Sequence, residues 1–193
     1  MAYCDRGLRV HTKKPWVLDN GYAAGEGLMA ERMADSVTGK LQSQPRPCGD
    51  CSLCCEGWLK TRVMNIQIDV GKPCPHCSGH HCTIHADRPR DPCRIFFCGW
   101  AVPDSPLPDW LHPSECGVIV LTDRSSWRGK PVDVLVSAGK DPDERLLQWY
   151  RHYSINNLRP FIYQNEGMWF GFGPMEFQRE IAAKARRGEQ LWI

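Results

Sequence analysis

Nine of the chain's eleven cysteines lie between Cys48 and Cys98. The stretch opens CGDCSLCC, which supplies Cys48, Cys51, Cys54 and Cys55, and a second group follows at Cys74, Cys77, Cys82, Cys93 and Cys98. A Cys-x-x-Cys step brings two sulfurs to one side of a tight turn, and structural zinc takes four such thiolates in a tetrahedron at about 2.3 Å. Cys48, Cys51 and Cys54 equally reproduce the opening of a bacterial ferredoxin run, with Cys74-Pro75 in the place of its closing Cys-Pro. Spacing therefore predicts a metal centre and leaves zinc, iron and an iron–sulfur cluster open. The adjoining Cys54 and Cys55 favour two neighbouring ions, since consecutive side chains point in different directions. Imidazole also suits zinc and iron, and His76, beside Cys74 and Cys77, is the best placed of four histidines in the cluster. Enough sulfurs exist without it.

The order of these residues resembles the CxxCxxCC family of zinc- or iron-chelating domains. That family's opening motif falls on Cys48, Cys51, Cys54 and Cys55, and its second half on Cys74-Pro75, Cys82 to His85, Arg88-Pro89 and Cys93-Arg94 through Cys98. The resemblance covers roughly residues 48–122 and implies that the eight matched cysteines are the metal ligands. This chain departs from the pattern by one extra residue between Pro89 and Cys93, by His85 in place of a tyrosine, and by Cys77, which is additional. One branch of the family, the flagellin lysine methylases, is linked to an iron–sulfur centre, but no methyl-donor site is legible here. Arg88 and Arg94 flank the expected ligands and can offset thiolate charge by donating hydrogen bonds toward sulfur, or else pair with Asp87 and Asp91.

Composition frames this reading. A length of 193 residues suits one domain with an appendage, and a formal charge of +2 gives no strong pull toward nucleic acid or an anionic membrane. No apolar run reaches the roughly 20 residues of a spanning helix, and the N-terminus lacks a secretory signal. The expectation is a cytoplasmic protein, where clustered thiols hold metal rather than form disulfides. No phosphate loop, nucleophile elbow or His-Glu-x-x-His pair appears, so no catalytic residue is assigned. Cys4 and Cys116 read as ordinary thiols. The partners expected are metal ions, with no nucleic acid and no membrane.

The elements that must carry these residues predict an α+β fold: a cysteine-rich loop region joined to a small antiparallel sheet with two helices. Residues 1–47 read as an arm with a short helix near Gly25–Lys40 and a linker at Ser43–Pro47, and residues 48–193 as a single domain. Strict alternation of Met64, Ile66, Ile68 and Val70 predicts a half-buried strand from Val63 to Val70. Prolines at 103, 106, 108 and 113 predict a surface loop. Cys116–Leu121 and Pro131–Ser137 read as a hairpin. Asp141 reads as the cap of a helix that carries Leu146, Leu147, Trp149 and Tyr150 and stops near Asn156-Asn157. Arg159–Gln164 and Met168–Phe172 form a second hairpin, and a last helix runs from Pro174 to near Gly188. Trp149, Trp169 and Phe172 are expected to pack in the core, and Trp58 and Trp100 to shield the metal.

Overall fold

The computed structural model describes residues 44–192, so Cys4, the Gly25–Lys40 helix and the rest of the arm up to residue 43 lie outside the described residues. The fold is α+β. Its centre is a four-stranded sheet in the order β10-β9-β8-β5, built from β5 (Val118–Leu121), β8 (Asp133–Ser137), β9 (Phe161–Asn165) and β10 (Met168–Phe172). Earlier in the chain come two small hairpins, β1 (Thr61–Val63) with β2 (Ile66–Ile68) and β3 (Cys77–Ser78) with β4 (His81–Cys82). A short ribbon of β6 (Ser126–Trp127) and β7 (Lys130–Pro131) lies between β5 and β8 in the chain. The helices are α1 (Pro113–Cys116), α2 (Glu144–Asn157) and α3 (Met175–Arg186).

Both predicted hairpins of the main sheet form, with Leu121 opposite Val134 and Phe172 opposite Phe161. What local pattern does not announce is how they join. Strand β8 runs parallel to β9, in register Asp133 to Phe161, and α2 makes the crossover that parallel neighbours require. All four residues of β5 are buried, as expected of a strand covered on both faces.

The two long helices cover opposite faces of the β9–β10 hairpin. Tyr150 of α2 packs on Phe161 at 5.1 Å between ring centroids, and Phe161 stacks on Phe172 at 5.0 Å. Gly171, opposite Ile162, turns the other way. A Cβ at Gly171 would sit 3.2 Å from both Phe177 and Ile181, so the missing side chain lets α3 lie directly on the sheet. Trp149, Trp169 and Phe172 pack against this core, as their spacing predicts.

Three details differ from the sequence pattern. The cap of α2 is Asp143, whose Oδ1 accepts from the Leu146 amide at 2.8 Å. Asp141 instead accepts from the Ser137 hydroxyl and the Glu166 amide, tying the β8 exit to the β9–β10 turn. Val63–Val70 is not one strand. Met64 and Asn65 take φ of 44° and 68°, which turns the chain so that β1 and β2 pair, leaving Val63 and Ile68 buried and Met64, Ile66 and Val70 exposed. The proline-rich stretch is not merely superficial, because Leu107 and Leu111 enter the main core.

One buried ion pair links the crossover to the sheet. Arg159 donates to Asp133 at 2.7 Å and to the Thr122 carbonyl at 2.7 Å, while the Tyr150 hydroxyl reaches Asp133 at 3.5 Å. Burial pushes the Asp133 carboxyl up from its ordinary 3.8 to about 6, against the opposing pull of Arg159. Burial also works against the Arg159 charge, but there the hydrogen bonds and charge of Asp133 win and raise its pKa. The asymmetry follows exposure: the Asp133 side chain is 2% accessible and that of Arg159 is 23%. The folded chain therefore binds this proton more tightly than the unfolded chain. Its stabilising contribution is full below 3.8 and is lost as pH rises through about 6. Urea unfolding across that window should show a pH-dependent component of at most about 3 kcal/mol that disappears in Asp133→Asn.

Candidate metal centre

The first cysteine motif is held by an arginine that the sequence pattern hides. Residues 43–47 read as a linker, yet the Arg46 guanidinium donates to the carbonyls of Leu107 at 2.7 Å and Ser105 at 3.0 Å, and its amide donates to Ala101 at 3.0 Å. This clamp sets Cys48 beside the segment that carries Cys98. A tight turn closes through the Cys51 amide on the Cys48 carbonyl at 3.1 Å, and Leu53–Cys55 forms a single 3-10 turn. Cys98 is buried at 4% exposure, and the Gly99 amide ties it to Val120 of β5 at 2.7 Å. Cys54 packs with Cys98 against the main core.

The second motif has a small core of its own. Val63, Ile68 and Cys74 are buried together, with Cys55, Cys77 and Cys93 packed around them. The Cys74 amide donates to the Cys55 carbonyl at 2.8 Å, and the Gly71 amide to the Gly57 carbonyl at 2.8 Å. Cys77 and Cys82 face each other across the β3–β4 pair. That hairpin is strapped to the first motif by His80, whose Nδ1 lies 3.1 Å from Glu56, which also accepts from the Ser52 hydroxyl at 2.6 Å. The turn Arg90–Arg94 presents Cys93 and packs on β1.

Gly57 makes this docking possible. Its φ is +87°, and a Cβ there would stand 2.8 Å from the Pro73 nitrogen and 2.9 Å from the Lys72 carbonyl carbon, both backbone atoms that cannot swing away. Gly57→Ala should destabilise the protein by about 2 kcal/mol through left-handed strain and the forced separation of the two segments. A urea titration of the two proteins checks it.

The sulfurs sort by their neighbours. Cys54 is buried, which raises its pKa well above the ordinary thiol value, and the nearby charges of Cys98, Cys51, Cys55 and Cys48 raise it further. Burial likewise lifts Cys55 to about 12, with added effects of Cys74, Cys77, Cys82 and Cys93. Burial raises Cys98 too, opposed by the backbone N–H groups of Ala101 and Trp100, which favour its thiolate. Without a cation, Cys54 and Cys55 are thus neutral thiols at physiological pH; a bound cation reverses this by stabilising thiolate directly.

Seven of these sulfurs line one cavity of about 410 Å³: Cys48, Cys51, Cys54 and Cys55, then Cys74, Cys82 and Cys93. Cys98 is outside this lining, buried in the main core against which Cys54 packs. Cys77 stands outside the cavity lining and donates to the Gly79 carbonyl at 3.6 Å. His76 lines the cavity, as do the other three histidines of the cluster. All ten described cysteines are free. Among the described residues, no three cysteine, histidine or carboxylate side chains meet at metal-bonding distance; the sulfurs ring a space rather than close on a point.

The two arginines divide their work. Arg94 donates to the carbonyls of Arg88 at 2.8 Å and Ala86 at 2.9 Å, so it braces the loop rather than facing sulfur. Arg88 lines the cavity, and its charge lowers the thiol pKa of both Cys48 and Cys93 against the larger effect of burial. Its Nε is buried with no hydrogen-bond partner. Among the described residues no ion pair joins either arginine to Asp87 or Asp91.

Of the two tryptophans expected to shield the centre, Trp100 borders a second cleft together with Cys48 and Cys51. Trp58 lies instead against the turn at Gly139, with its ring 3.6 Å from where a Cβ there would be. Cys116 keeps to its own backbone, near the carbonyls of Val118 at 3.4 Å and Leu111 at 3.6 Å, as an ordinary thiol does. The residues that sequence reasoning missed are Arg46 and Gly57. A lone arginine between prolines carries no periodic signal, and nothing in CCEGW announces that another backbone segment crosses there. No family model, curated protein or solved structure matches this chain.

Proposed function

We propose that this protein binds zinc or iron through the thiolates of the Cys48–Cys98 cluster, in a structural or regulatory role, and that the bound metal holds residues 48–98 in their fold. The observation that carries this reading is the gathering of seven free cysteines around one cavity, with an eighth, Cys98, buried in the core against which Cys54 packs. Sulfurs in such numbers, unpaired by disulfides, are a donor set suited to zinc, iron or an iron–sulfur cluster. The likeness to the CxxCxxCC family points the same way. Free thiols also suit a reducing cytoplasm, and among the described residues no helix is long and apolar enough to cross a membrane.

A second reading, an iron–sulfur redox protein, draws support from two features of the same site. The cavity of about 410 Å³ exceeds what one tetrahedral ion fills, and the Arg88 Nε–H is a buried donor without a partner, which bridging sulfides accept readily. The absorption spectrum of protein isolated anaerobically separates the two. A colourless protein carrying stoichiometric zinc supports the first reading. Visible charge-transfer bands that dithionite bleaches support the second. A colourless protein free of zinc and iron contradicts both.

A further inference from the structure

The cysteines do not form one pool. The peptide bond between Cys54 and Cys55 lies in a 3-10 turn, where successive side chains diverge by about a third of a revolution. On one side Cys54 packs against the main core that holds Cys98, three residues after the turn that brings Cys48 and Cys51 together. On the other, Cys55, Cys77 and Cys93 pack against Val63, Ile68 and Cys74, a separate apolar cluster, and Cys82 pairs with Cys77 across the β3–β4 hairpin. Each sulfur that borders the cavity belongs to one side or the other.

We propose that the chain holds two distinct four-sulfur metal centres: one from Cys48, Cys51, Cys54 and Cys98, the other from Cys55, Cys74, Cys82 and Cys93, with Arg88 beside them. The proposal rests on the thiolate reading above and deepens it by assigning ligands. Cys77 is the sulfur left over: it borders the second cluster, stays outside the cavity and points to the Gly79 carbonyl. His76 is likewise left out, because each centre is complete without it. Arg88 lines the cavity that both sets of sulfurs border, which sets a positive charge beside two centres that each carry net negative charge when four thiolates surround a divalent ion.

The test is cadmium NMR on the full chain reconstituted anaerobically with cadmium alone. Two resonances are expected, both in the range of four-sulfur coordination. Cys54→Ser should remove or shift one of them and Cys55→Ser the other, with the bound metal falling from two ions to about one in each case. Because Cys54 packs against the core, Cys48→Ser, at an exposed position, serves as the second variant for the first centre, and Cys82→Ser for the second. Cys77→Ser and His76→Ala should leave both resonances in place. A single resonance, or the loss of both with any one of the four ligand substitutions, overturns the two-centre assignment while leaving metal binding intact. Failure to bind cadmium at all overturns both this assignment and the thiolate reading beneath it.

Discussion

If the proposed metal holds residues 48–97, a strong chelator is expected to unfold them while the four-stranded sheet persists. The reason lies in what each part buries. In residues 48–97 the buried apolar side chains are Leu59, Val63, Ile68 and Cys74, and their strands are two or three residues long. Ordering a residue costs about 1–2 kcal/mol in backbone entropy alone, far more over that length than four side chains return. Structural zinc contributes apparent binding energies of about 10–16 kcal/mol in small thiolate sites, enough to account for the order. The main sheet has its own core in Val118 to Leu121, Val134 to Val136, Phe161, Ile162 and the helices over them. Amide hydrogen exchange after chelation should show lost protection at Ile66–Ile68 and retained protection at Val118–Leu121. Cys74→Ser should weaken the same segment. Unchanged protection in the chelated protein would mean that these residues fold without an ion.

The largest effect away from the cysteines is expected from Phe161→Ala. Phe161 is 0% exposed on an inner strand, paired in parallel with Asp133 and antiparallel with Phe172, and its ring meets those of Tyr150, Tyr163 and Phe172. Truncation there leaves a cavity between α2 and the sheet that three aromatic neighbours cannot all collapse into. The cost should be about 3–5 kcal/mol, read from the urea midpoint of metal-loaded protein. Phe161→Leu should cost less, about 1.5 kcal/mol, because most of the volume is kept. An equal loss in the two variants would mean that the ring contacts, not the volume, hold this face together.

The gathering of the cysteines is legible in the sequence, because those close along the chain stay close in the fold and seven of them line one cavity. Both main hairpins are legible for a similar reason, since β-branched runs and a Gly-containing turn are local signals. The features that escape are set by partners distant in sequence. The parallel pairing of β8 with β9 depends on where α2 docks, and the cap of α2 fell to Asp143 because Asp141 is occupied by Ser137 and Glu166. Alternation from Met64 to Val70 mimics one strand, but Asn65 accepts a positive φ and lets the chain turn back. Arg46 and Gly57 fix the two cysteine motifs through contacts about sixty and fifteen residues away, a separation at which pattern carries no information. The division of the sulfurs between two apolar clusters becomes visible only when Cys98 is seen in the main core and Cys74 outside it.

The most direct test is the metal-to-protein ratio of the full chain, purified anaerobically without added metal and measured by elemental analysis. Thiolate-bound zinc or iron should remain through dialysis against buffer, at two ions per chain for mononuclear centres and more if clusters are present. Less than one tightly held ion per chain, in protein whose ten described cysteines are still reduced, would contradict the account.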